Sequence, residues 1–543
     1  MKQRDVSVWQ EERAKEFCEE WYKTQVKKDH KIVVIDDDPT GTQTVHDVPV
    51  YTAYDLEHIR KGFKEETPLF YVLTNSRSLK QKETEKLHLQ LGRDIAQAAK
   101  ESGKTCTVIS RGDSTLRGHY PLETQCLKQA MEEISGEKID GEIIAPFFLE
   151  GGRITAGDIH YVVQKDGEMV PAGETEFAKD KTFSYASDLK KWIEEKTAGK
   201  VKEEDVLSFS LEDLRNGTPE KIADRLEDVC DFGKVIVNAV CYEDMIAFAR
   251  GYELALERGK RFIFRSAAAV PKVLGRITDQ PLLTRRDMIR EKTKAGGLIV
   301  AGSHVKKTTD QLKCLLEDKN RAAVEFNQHL ILDHEKMENE FSRVMGLVNQ
   351  FIEEGRTTVV YTRRERLDLN TGNAEDELKV ATDISRYLTR IVEELKVKPA
   401  FIVAKGGITS SDIGVKGLKI SRGWVLGQIR PGIPVWEADE NSRFPGIPYV
   451  VFPGNVGNEE DLKKVAEIME AKKKPIVAVL LGDGSGVGPE LVVKLADKGV
   501  LASCGKPLIL GNVKLWEKAV AEFAPGLKWQ QVEKAEEADW FKG

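Results

Sequence analysis

At 543 residues the chain is long enough for roughly three to four domains of about 150 residues each, and 41% of its residues are hydrophobic, which is enough for sizeable cores. It contains 82 Lys plus Arg and 89 Asp plus Glu, for a formal net charge of −7, which excludes a broad basic face that binds nucleic acid. No run approaches the ~20 apolar residues of a membrane span, the N-terminus lacks the apolar core of a secretory signal, and none of the seven cysteines forms a CxxC pair. We therefore expect a cytoplasmic protein with no nucleic-acid or membrane partner.

Residues 1–30 have a charged helical pattern, and a strand-and-helix rhythm follows it. Short, nearly continuous apolar runs predict strands buried on both faces; they cover residues 31–36, 68–74, 105–110, 141–146, 234–239, 261–265, 297–302, 357–362, 399–405, 448–453 and 475–482. Amphipathic patterns between the runs predict helices, as where Ala381, Ile384 and Leu388 recur at spacings of three and four. The alternation predicts an α/β fold with two three-layer α/β domains, mostly parallel sheets and a short appended β–α segment.

Two polar stretches suggest domain boundaries. Residues 275–297 are polar and basic and are interpreted as a linker helix, and Ala471–Pro475 is a charged break. We predict three domains: residues 1–285 with a helical extension over 1–30, residues 286–472, and residues 473–543.

Polar residues follow the strands of the first half, where ligands bind in open α/β sheets. Asp36–Asp38 are three consecutive carboxylates after the first predicted strand, and they suit either a proton acceptor or cation site, or a solvated turn. Arg77, Arg111 and Arg117 follow later strands and suit either a bound carboxylate or ion pairs with the Asp cluster. Asp113 suits either a general base or metal partner, or a helix cap.

Glycine-rich loops follow the strands of the second half. Gly302-Ser303 and Gly406-Gly407 each precede hydroxyl residues and a predicted helix, and Pro453–Gly457 adds a third loop. Backbone N–H groups at a helix start can cradle phosphate, although each loop alone also suits an ordinary helix cap. Together the loops favour a nucleotide polyphosphate.

Taken together, these motifs resemble the four-carbon acid sugar kinase family over roughly residues 30–470. The first half is similar to its sugar-binding domain in Asp37-Asp-Pro-Thr-Gly41, Ser76-Arg77, Asp113-Ser-Thr-Leu-Arg-Gly118 and a run from Ala145 through Gly152-Arg153, Gly157 and His160 to Glu174–Asp180. The second half is similar to its nucleotide-binding domain in Gly302-Ser303, Thr308, Gln311, Gly406-Gly-Ile-Thr409, Pro431–Pro434 and Gly454–Gly457.

The resemblance implies ATP- and Mg²⁺-dependent phosphorylation of the terminal hydroxyl of a four-carbon sugar acid such as threonate, erythronate or an oxo-tetronate. It implies catalytic roles for Asp37, Asp38 and Asp113, and substrate binding by Arg77, Ser114, Arg117, Gly118 and Arg153. It implies ATP binding by Gly302, Ser303, Gly406, Gly407, Ile408, Thr409 and Gly454, with no metal ligand assigned. The expected partners are the sugar acid and ATP; a homo-oligomer and a functional link to a phospho-sugar-acid dehydrogenase are left open.

Three positions depart from the family pattern. Ile408 replaces an acidic residue, Phe452-Pro453 replaces a Lys-Ser pair, and Arg111 replaces a common lysine. Lys405 and Lys306 are the candidate replacements for the missing lysine.

The C-terminal segment resembles a different family. Residues 476–490 are similar to the opening stretch of 4-hydroxythreonine-4-phosphate dehydrogenases, but only about 65 residues are present. We interpret the segment as a fused remnant without dehydrogenase activity. Two alternatives to the kinase remain: a dehydrogenase component that acts through this segment, and a non-catalytic sensor of sugar acid and nucleotide.

Overall fold

The computed structural model describes residues 11–164, 166–175, 186–291, 293–365, 367, 374–454, 456–470, 476–534 and 538, with backbone only for 11–13 and 374–378. The chain divides into two compact units, Met1–Glu470 and Ala471–Gly543.

Every predicted apolar run forms a strand, and the α/β class is confirmed. The strands of the first half are β1 (His30–Asp36), β2 (Val48–Tyr51), β3 (Leu69–Leu73), β4 (Thr105–Arg111), β5 (Gly141–Ala145), β6 (Arg153–Ala156), β7 (Ile159–Val163), β8 (Met169–Pro171), β9 (Leu207–Phe209), β10 (Gly233–Val237) and β11 (Phe262–Ser266). Its helices are α1 (Glu11–Lys23), α2 (Leu56–Lys64), α3 (Gln81–Ser102), α4 (Leu122–Ser135), α5 (Leu189–Lys196), α6 (Leu211–Asn216), α7 (Pro219–Glu227), α8 (Tyr242–Glu257), α9 (Ala269–Leu274) and α10 (Arg285–Met288).

The second half of the larger unit follows the same alternation. Its strands are β12 (Leu298–Ala301), β13 (Ala322–Phe326), β14 (Thr358–Thr362), β15 (Ile402–Lys405), β16 (Arg422–Arg430), β17 (Ile433–Glu437) and β18 (Pro448–Phe452). Its helices are α11 (Lys306–Leu315), α12 (His334–Glu353), α13 (Ala374–Glu393), α14 (Gly407–Asp412) and α15 (Asp461–Glu470).

One continuous sheet runs through both halves in the order β13-β14-β12-β15-β18-β17-β16-β2-β3-β1-β4-β11-β5-β10-β9. Its pairings are parallel except β18–β17, β17–β16 and β16–β2, so the sheets of the two halves join through β2 and β16. Alternate residues of a strand pack on opposite faces: Val34 of β1 belongs to one hydrophobic cluster and Val33 to another. Burial on both faces explains why these strands are continuous apolar runs.

The junction between the halves brings the loops after β1 and β15 together. Three antiparallel pairings make the parallel strands of the two halves run in opposite directions, and β16 contains register shifts of the kind that bend and twist a strand. The turn Pro39–Thr42 after β1 packs against β17, β18 and α14. The indole Nε1 of Trp436 donates to Thr42 Oγ1 at 3.0 Å and fastens this turn to the second half.

The predicted linker is mostly not helical. Among the described residues of 275–297, only Arg285–Met288 forms a helix, and Leu283 and Met288 are buried in a hydrophobic cluster with second-half strands. The segment is therefore packed onto the second half. At the other end of the chain, α1 packs on α8, and the Trp21 Nε1 donates to Val273 O at 3.0 Å.

The smaller unit is a β–α–β–α segment, as predicted. Strands β19 (Ile476–Leu480) and β20 (Lys506–Leu510) pair in parallel, with helices α16 (Gly488–Asp497), α17 (Val500–Cys504) and α18 (Val513–Phe523). Its core contains Leu481, Val493 and Trp516. Among the residues described in both units, no helix has the length and apolarity needed to cross a bilayer.

Candidate active site

The carboxyl ends of β1, β3, β4 and β11 carry a cluster of charged side chains. These strands are neighbours in the sheet, so their end loops lie side by side. Thr74 N donates to Asp36 O at 2.9 Å, and Gly112 N donates to Ser266 O at 2.9 Å. These bonds hold the loops at fixed spacing.

Arg77 is bound to two carboxylates. Its Nε and Nη2 donate to the two oxygens of Asp37 at 3.0 and 2.6 Å, and its Nη1 donates to Asp38 Oδ2 at 3.3 Å. Asp37 is only 4% exposed, whereas the Asp38 side chain is 19% exposed. Asp38 also caps the turn Pro39–Thr42 by accepting from Thr40 N at 2.8 Å. The ion pairs with the Asp cluster, one of the two alternatives for Arg77, are therefore present. The other alternative, binding of a substrate carboxylate, stays a prediction, because the bonds to Asp37 and Asp38 leave only part of the guanidinium group available.

Asp36 lies beneath this pair against Arg111. Arg111 Nη1 donates to Asp36 Oδ1 at 3.0 Å and to Asp37 Oδ1 at 3.4 Å. Burial raises the pKa of Asp36 to about 7. Repulsion from Asp37 and Asp38 also raises this pKa, whereas Arg111 lowers it. The sequence analysis gave Asp36 only the alternatives shared by the whole cluster and assigned the catalytic roles to Asp37, Asp38 and Asp113.

The raised pKa of Asp36 predicts a dependence of stability on pH. A carboxyl with a raised folded pKa contributes stability that is present below its unfolded pKa, about 4, and that is lost as the pH rises through about 7. In Asp36→Asn this loss is absent, so its free energy of unfolding relative to the wild type should rise by about 2–4 kcal/mol between pH 4.5 and pH 8. Urea unfolding of both full chains at the two pH values measures the change, and parallel pH profiles would contradict it.

Asp113 lies between two arginines. Arg117 Nε donates to Asp113 Oδ2 at 2.6 Å, Thr115 Oγ1 donates to the same oxygen, and Arg77 Nη1 is 3.9 Å from Oδ1. Burial alone would raise the pKa of Asp113, but Arg77 and Arg117 bring it well below its usual range. Asp113 is thus ionised near neutral pH.

Arg265 is a site residue that the sequence analysis missed. Its Nη2 donates to Arg117 O at 3.2 Å, and its Nη1 is 3.8 Å from Glu123 Oε2. Gly118 has a φ of +131° and lies over this guanidinium, since a Cβ there would be 3.0 Å from Arg265 Nη2 and 3.7 Å from Asp37 Oδ2. The only available signal was a charged residue at the end of an apolar run.

Ser114 is held through its backbone. His160 Nε2 donates to Ser114 O at 2.8 Å, and His160 Nδ1 accepts from Thr155 Oγ1 at 3.0 Å, which fixes the neutral tautomer. Burial lowers the pKa of His160 to about 4, with nearby Arg153 contributing. Arg153 begins β6 and donates to Gly151 O. Residues 176–180 of the predicted run lie outside the described residues.

A cavity of about 290 Å³ lies at the ends of β12 and β15. Six of the seven predicted ATP residues line it, namely Gly302, Ser303, Gly406, Gly407, Ile408 and Thr409. Helix α13 supplies an apolar wall with Ala381, Ile384 and Leu388. The cavity therefore combines a glycine loop with an apolar surface, and Ile408 is 66% exposed at its edge.

Close backbone packing shapes the glycine loop. A Cβ on Gly302 would lie 2.5 Å from Thr409 Oγ1, and Gly406 has a φ of +123°, which favours glycine. Gly454, the seventh predicted residue, does not line the cavity. Lys405 Nζ donates to Pro453 O at 2.6 Å and to Gly454 O at 3.0 Å, so it fastens that loop to β15.

Of the two candidate replacement lysines, Lys405 is fully buried on loop carbonyls, and burial with repulsion from Lys307 lowers its pKa to about 7. Lys306 is exposed at the start of α11.

The cavity and the charged cluster adjoin. A Cβ on Gly407 would lie 3.6 Å from Asp38 Oδ2, so the start of α14 faces the carboxylates of the first half. A ligand in the cavity and one at the arginines would thus approach each other at Asp38. Within the described residues, no group of three or more His, Cys, Asp or Glu side chains is arranged to hold a metal ion.

Comparison with known proteins gives two family models in the larger unit. A sugar-binding N-terminal domain matches residues 32–274, and a nucleotide-binding C-terminal domain matches residues 298–462. A sugar-binding half followed by a nucleotide-binding half defines a kinase-type enzyme. The chain belongs to the four-carbon acid sugar kinase family, as its motifs predicted.

Solved structures share the fold. A DUF1537-family protein of Haemophilus influenzae is 18% identical, with a TM-score of 0.56 over 81% of this chain and 100% of its own. A Salmonella typhimurium protein is 15% identical, with a TM-score of 0.58 over 80% of this chain and 98% of its own. These similarities support the fold alone.

The C-terminal segment is similar to part of a second enzyme, as predicted. The D-threonate 4-phosphate dehydrogenase of Cupriavidus necator is 37% identical over 70 residues, which is 13% of this chain and 21% of that protein. The chain thus spans about a fifth of the length of this curated relative.

Proposed function

We propose that the chain transfers the γ-phosphoryl group of ATP to the terminal hydroxyl of a four-carbon sugar acid. The observation that carries the proposal is the adjacency of Gly407, in the glycine-lined cavity, and Asp38, in the carboxylate–arginine cluster. An anion-binding loop facing paired carboxylates and guanidinium groups suits the positioning and charge stabilisation on which phosphoryl transfer depends.

In this proposal each half has its own ligand. Arg117, with Arg77 and Arg153, holds the substrate carboxylate beside the Ser114–Gly118 loop. Thr409 and the amides of Gly407 and Ile408, in the first turn of α14, hold the phosphates, and the apolar wall of α13 covers the adenine. The sugar hydroxyl oxygen forms a bond to the γ-phosphorus, the bond to the bridging oxygen of ADP breaks, and the hydroxyl proton passes to a carboxylate, either Asp38 or Asp113.

Mg²⁺ fits the acidic edge next to the cavity. Magnesium is commonly held by one or two carboxylates together with substrate phosphates, and Asp38 is the carboxylate that faces the glycine loop. Bound there with the nucleotide, the ion would neutralise phosphate charge.

Threonate is the first substrate to test. The dehydrogenase similar to the C-terminal segment acts, by its name, on D-threonate 4-phosphate, which is the product that 4-phosphorylation of threonate would give. A fused segment of this kind favours a substrate of the same carbon skeleton.

The test is ADP release from ATP and Mg²⁺ with a panel of threonate, erythronate and oxo-tetronate stereoisomers, using the full chain. Turnover with one acid and none without acid is expected. Nucleotide binding without turnover of any acid in the panel would contradict the kinase proposal and favour the non-catalytic sensor. NAD-dependent oxidation of a phosphorylated acid would instead favour the dehydrogenase component.

Arg117→Ala should raise the KM for the sugar acid about a hundredfold and leave the KM for ATP unchanged, because an arginine–carboxylate bond of the charge-assisted type is lost. The four-carbon polyol that lacks the carboxylate is the matched control. With this polyol, Arg117→Ala and the wild type should have the same KM. An unchanged KM for the acid would remove Arg117 from the substrate site.

A further inference from the structure

Arg364, two residues past the end of β14, reaches the loop that begins the nucleotide cavity. Its Nη2 donates to Ser303 O at 2.6 Å, and its Nε and Nη2 donate to Thr309 Oγ1 at 3.1 and 3.0 Å. The guanidinium thus bridges the Gly302-Ser303 loop and the first turn of α11. Strand β14 lies beside β12 in the sheet, which places the two strand ends next to each other.

The charge of Arg364 has no counter-ion in the part of the chain that the structure describes. No carboxylate there lies within 4.0 Å of its guanidinium, and its Nη1 is buried without a hydrogen-bond partner. Burial lowers the pKa of Arg364, and none of the described carboxylates opposes that effect. In contrast, Arg77 and Arg111 are each paired with buried Asp side chains.

An uncompensated cation held against the cavity loop attracts a polyanion. Partial burial reduces solvent screening, so its field at the cavity is stronger than that of an exposed arginine. Lys405 lies at the end of β15, on the other side of β12, but its Nζ is bound to the Pro453 and Gly454 carbonyls. Arg364 is therefore the better placed of the two to respond to phosphate charge at Ser303.

We infer that Arg364 is a positioning residue that makes the Ser303 loop selective for the number of phosphates on the nucleotide. The inference rests on the proposed ATP site. Arg364 orients the loop through the Ser303 carbonyl and adds one positive charge behind it, without touching the reacting atoms.

The test measures Kd values for adenosine, AMP, ADP and ATP by competition against a fluorescent ADP analogue, with the full chain. In Arg364→Gln the loss of affinity should grow with phosphate number and reach about tenfold more for ATP than for adenosine. Arg364→Lys keeps the charge and should recover most of that selectivity. Arg363→Gln is the matched control, because Arg363 is its neighbour, is 46% exposed and pairs with Glu325 on the surface.

The outcomes separate the two proposals. A wild-type chain that binds neither ADP nor ATP overturns the ATP site and this inference with it. A wild-type chain that binds ATP, with equal losses for adenosine and ATP in Arg364→Gln, overturns the inference alone, since that pattern is a structural effect on the loop. A selectivity loss in Arg363→Gln as large as in Arg364→Gln also overturns it.

Discussion

Replacement of Asp38 by Asn is expected to lower kcat by about 10²- to 10⁴-fold, the range typical of general-base loss, with the KM for the sugar acid changed by less than about threefold. Asn has nearly the same shape and keeps an oxygen that can accept from Thr40 N, so the turn Pro39–Thr42 should persist. It loses the charge that faces Gly407 and the ability to accept a proton. ADP release at saturating sugar acid and ATP measures the effect.

The control for this variant is Asp55→Asn. Asp55 caps α2 by accepting from Glu57 N and His58 N, so it has the same residue type and a similar capping role on the exposed surface. Its kcat should equal that of the wild type. If Asp38→Asn keeps more than a tenth of the wild-type kcat, Asp38 is not at the reacting atoms, and Asp113 becomes the candidate base.

The sequence predicts the parts of the fold whose signals are continuous. Runs such as Ile32–Ile35 are buried on both faces and therefore apolar throughout, and all of them form strands. The strands missed in the larger unit are β2, β6–β9, β13, β16 and β17. Some of these have mixed signals: β13 alternates buried and exposed residues, and the β16–β17 hairpin is interrupted by Pro431 and Gly432. That hairpin joins the two sheets, so its absence from the prediction left the halves as separate sheets.

The candidate site divides in a similar way. Strand-end loops predict that Asp37, Arg77 and Asp113 lie at one edge, because parallel strands place their ends together. Their pairing with each other depends on side-chain geometry, and no spacing in the sequence specifies it. Arg265 and Arg364 were not predicted, since each acts through a backbone carbonyl of a loop distant in the chain. The residue roles themselves stay predictions until the variants are measured.

Arg77→Gln should lower the free energy of unfolding by about 3–5 kcal/mol near neutral pH, the usual cost of removing one partner from a buried ion pair. Arg77 is bound to both oxygens of nearly buried Asp37 and lies near Asp38 and Asp113. Gln supplies at most two N–H donors and no charge, so the carboxylates would face one another with only Arg111 and Arg117 to offset them. Urea unfolding of the full chain at pH 7.5 measures the loss.

The loss of unfolding free energy in Arg77→Gln should become smaller as the pH falls, because the carboxylates near Arg77 become protonated. Burial alone would raise the pKa values of Asp38 and Asp113, but arginines lower both, Arg77 first among them. Such groups contribute stability that is present above their unfolded pKa, about 4, and that is lost as the pH falls through their folded pKa. Without Arg77 much of that contribution disappears, so the variant and wild type should differ less at pH 3, below the unfolded pKa, than at pH 7.5.

A matched surface variant separates this effect from the loss of any arginine. Arg93 makes one 3.3 Å contact with Glu133, and both side chains are more than 40% exposed. Exposed pairs contribute about 0–1 kcal/mol, so Arg93→Gln should change the free energy of unfolding by less than about 0.5 kcal/mol at either pH. A loss in Arg77→Gln as small as in Arg93→Gln would mean that solvent or the other arginines already balance the Asp cluster. Arg77 would then act mainly on the substrate carboxylate, and its variant should raise the KM for the sugar acid without a loss of stability.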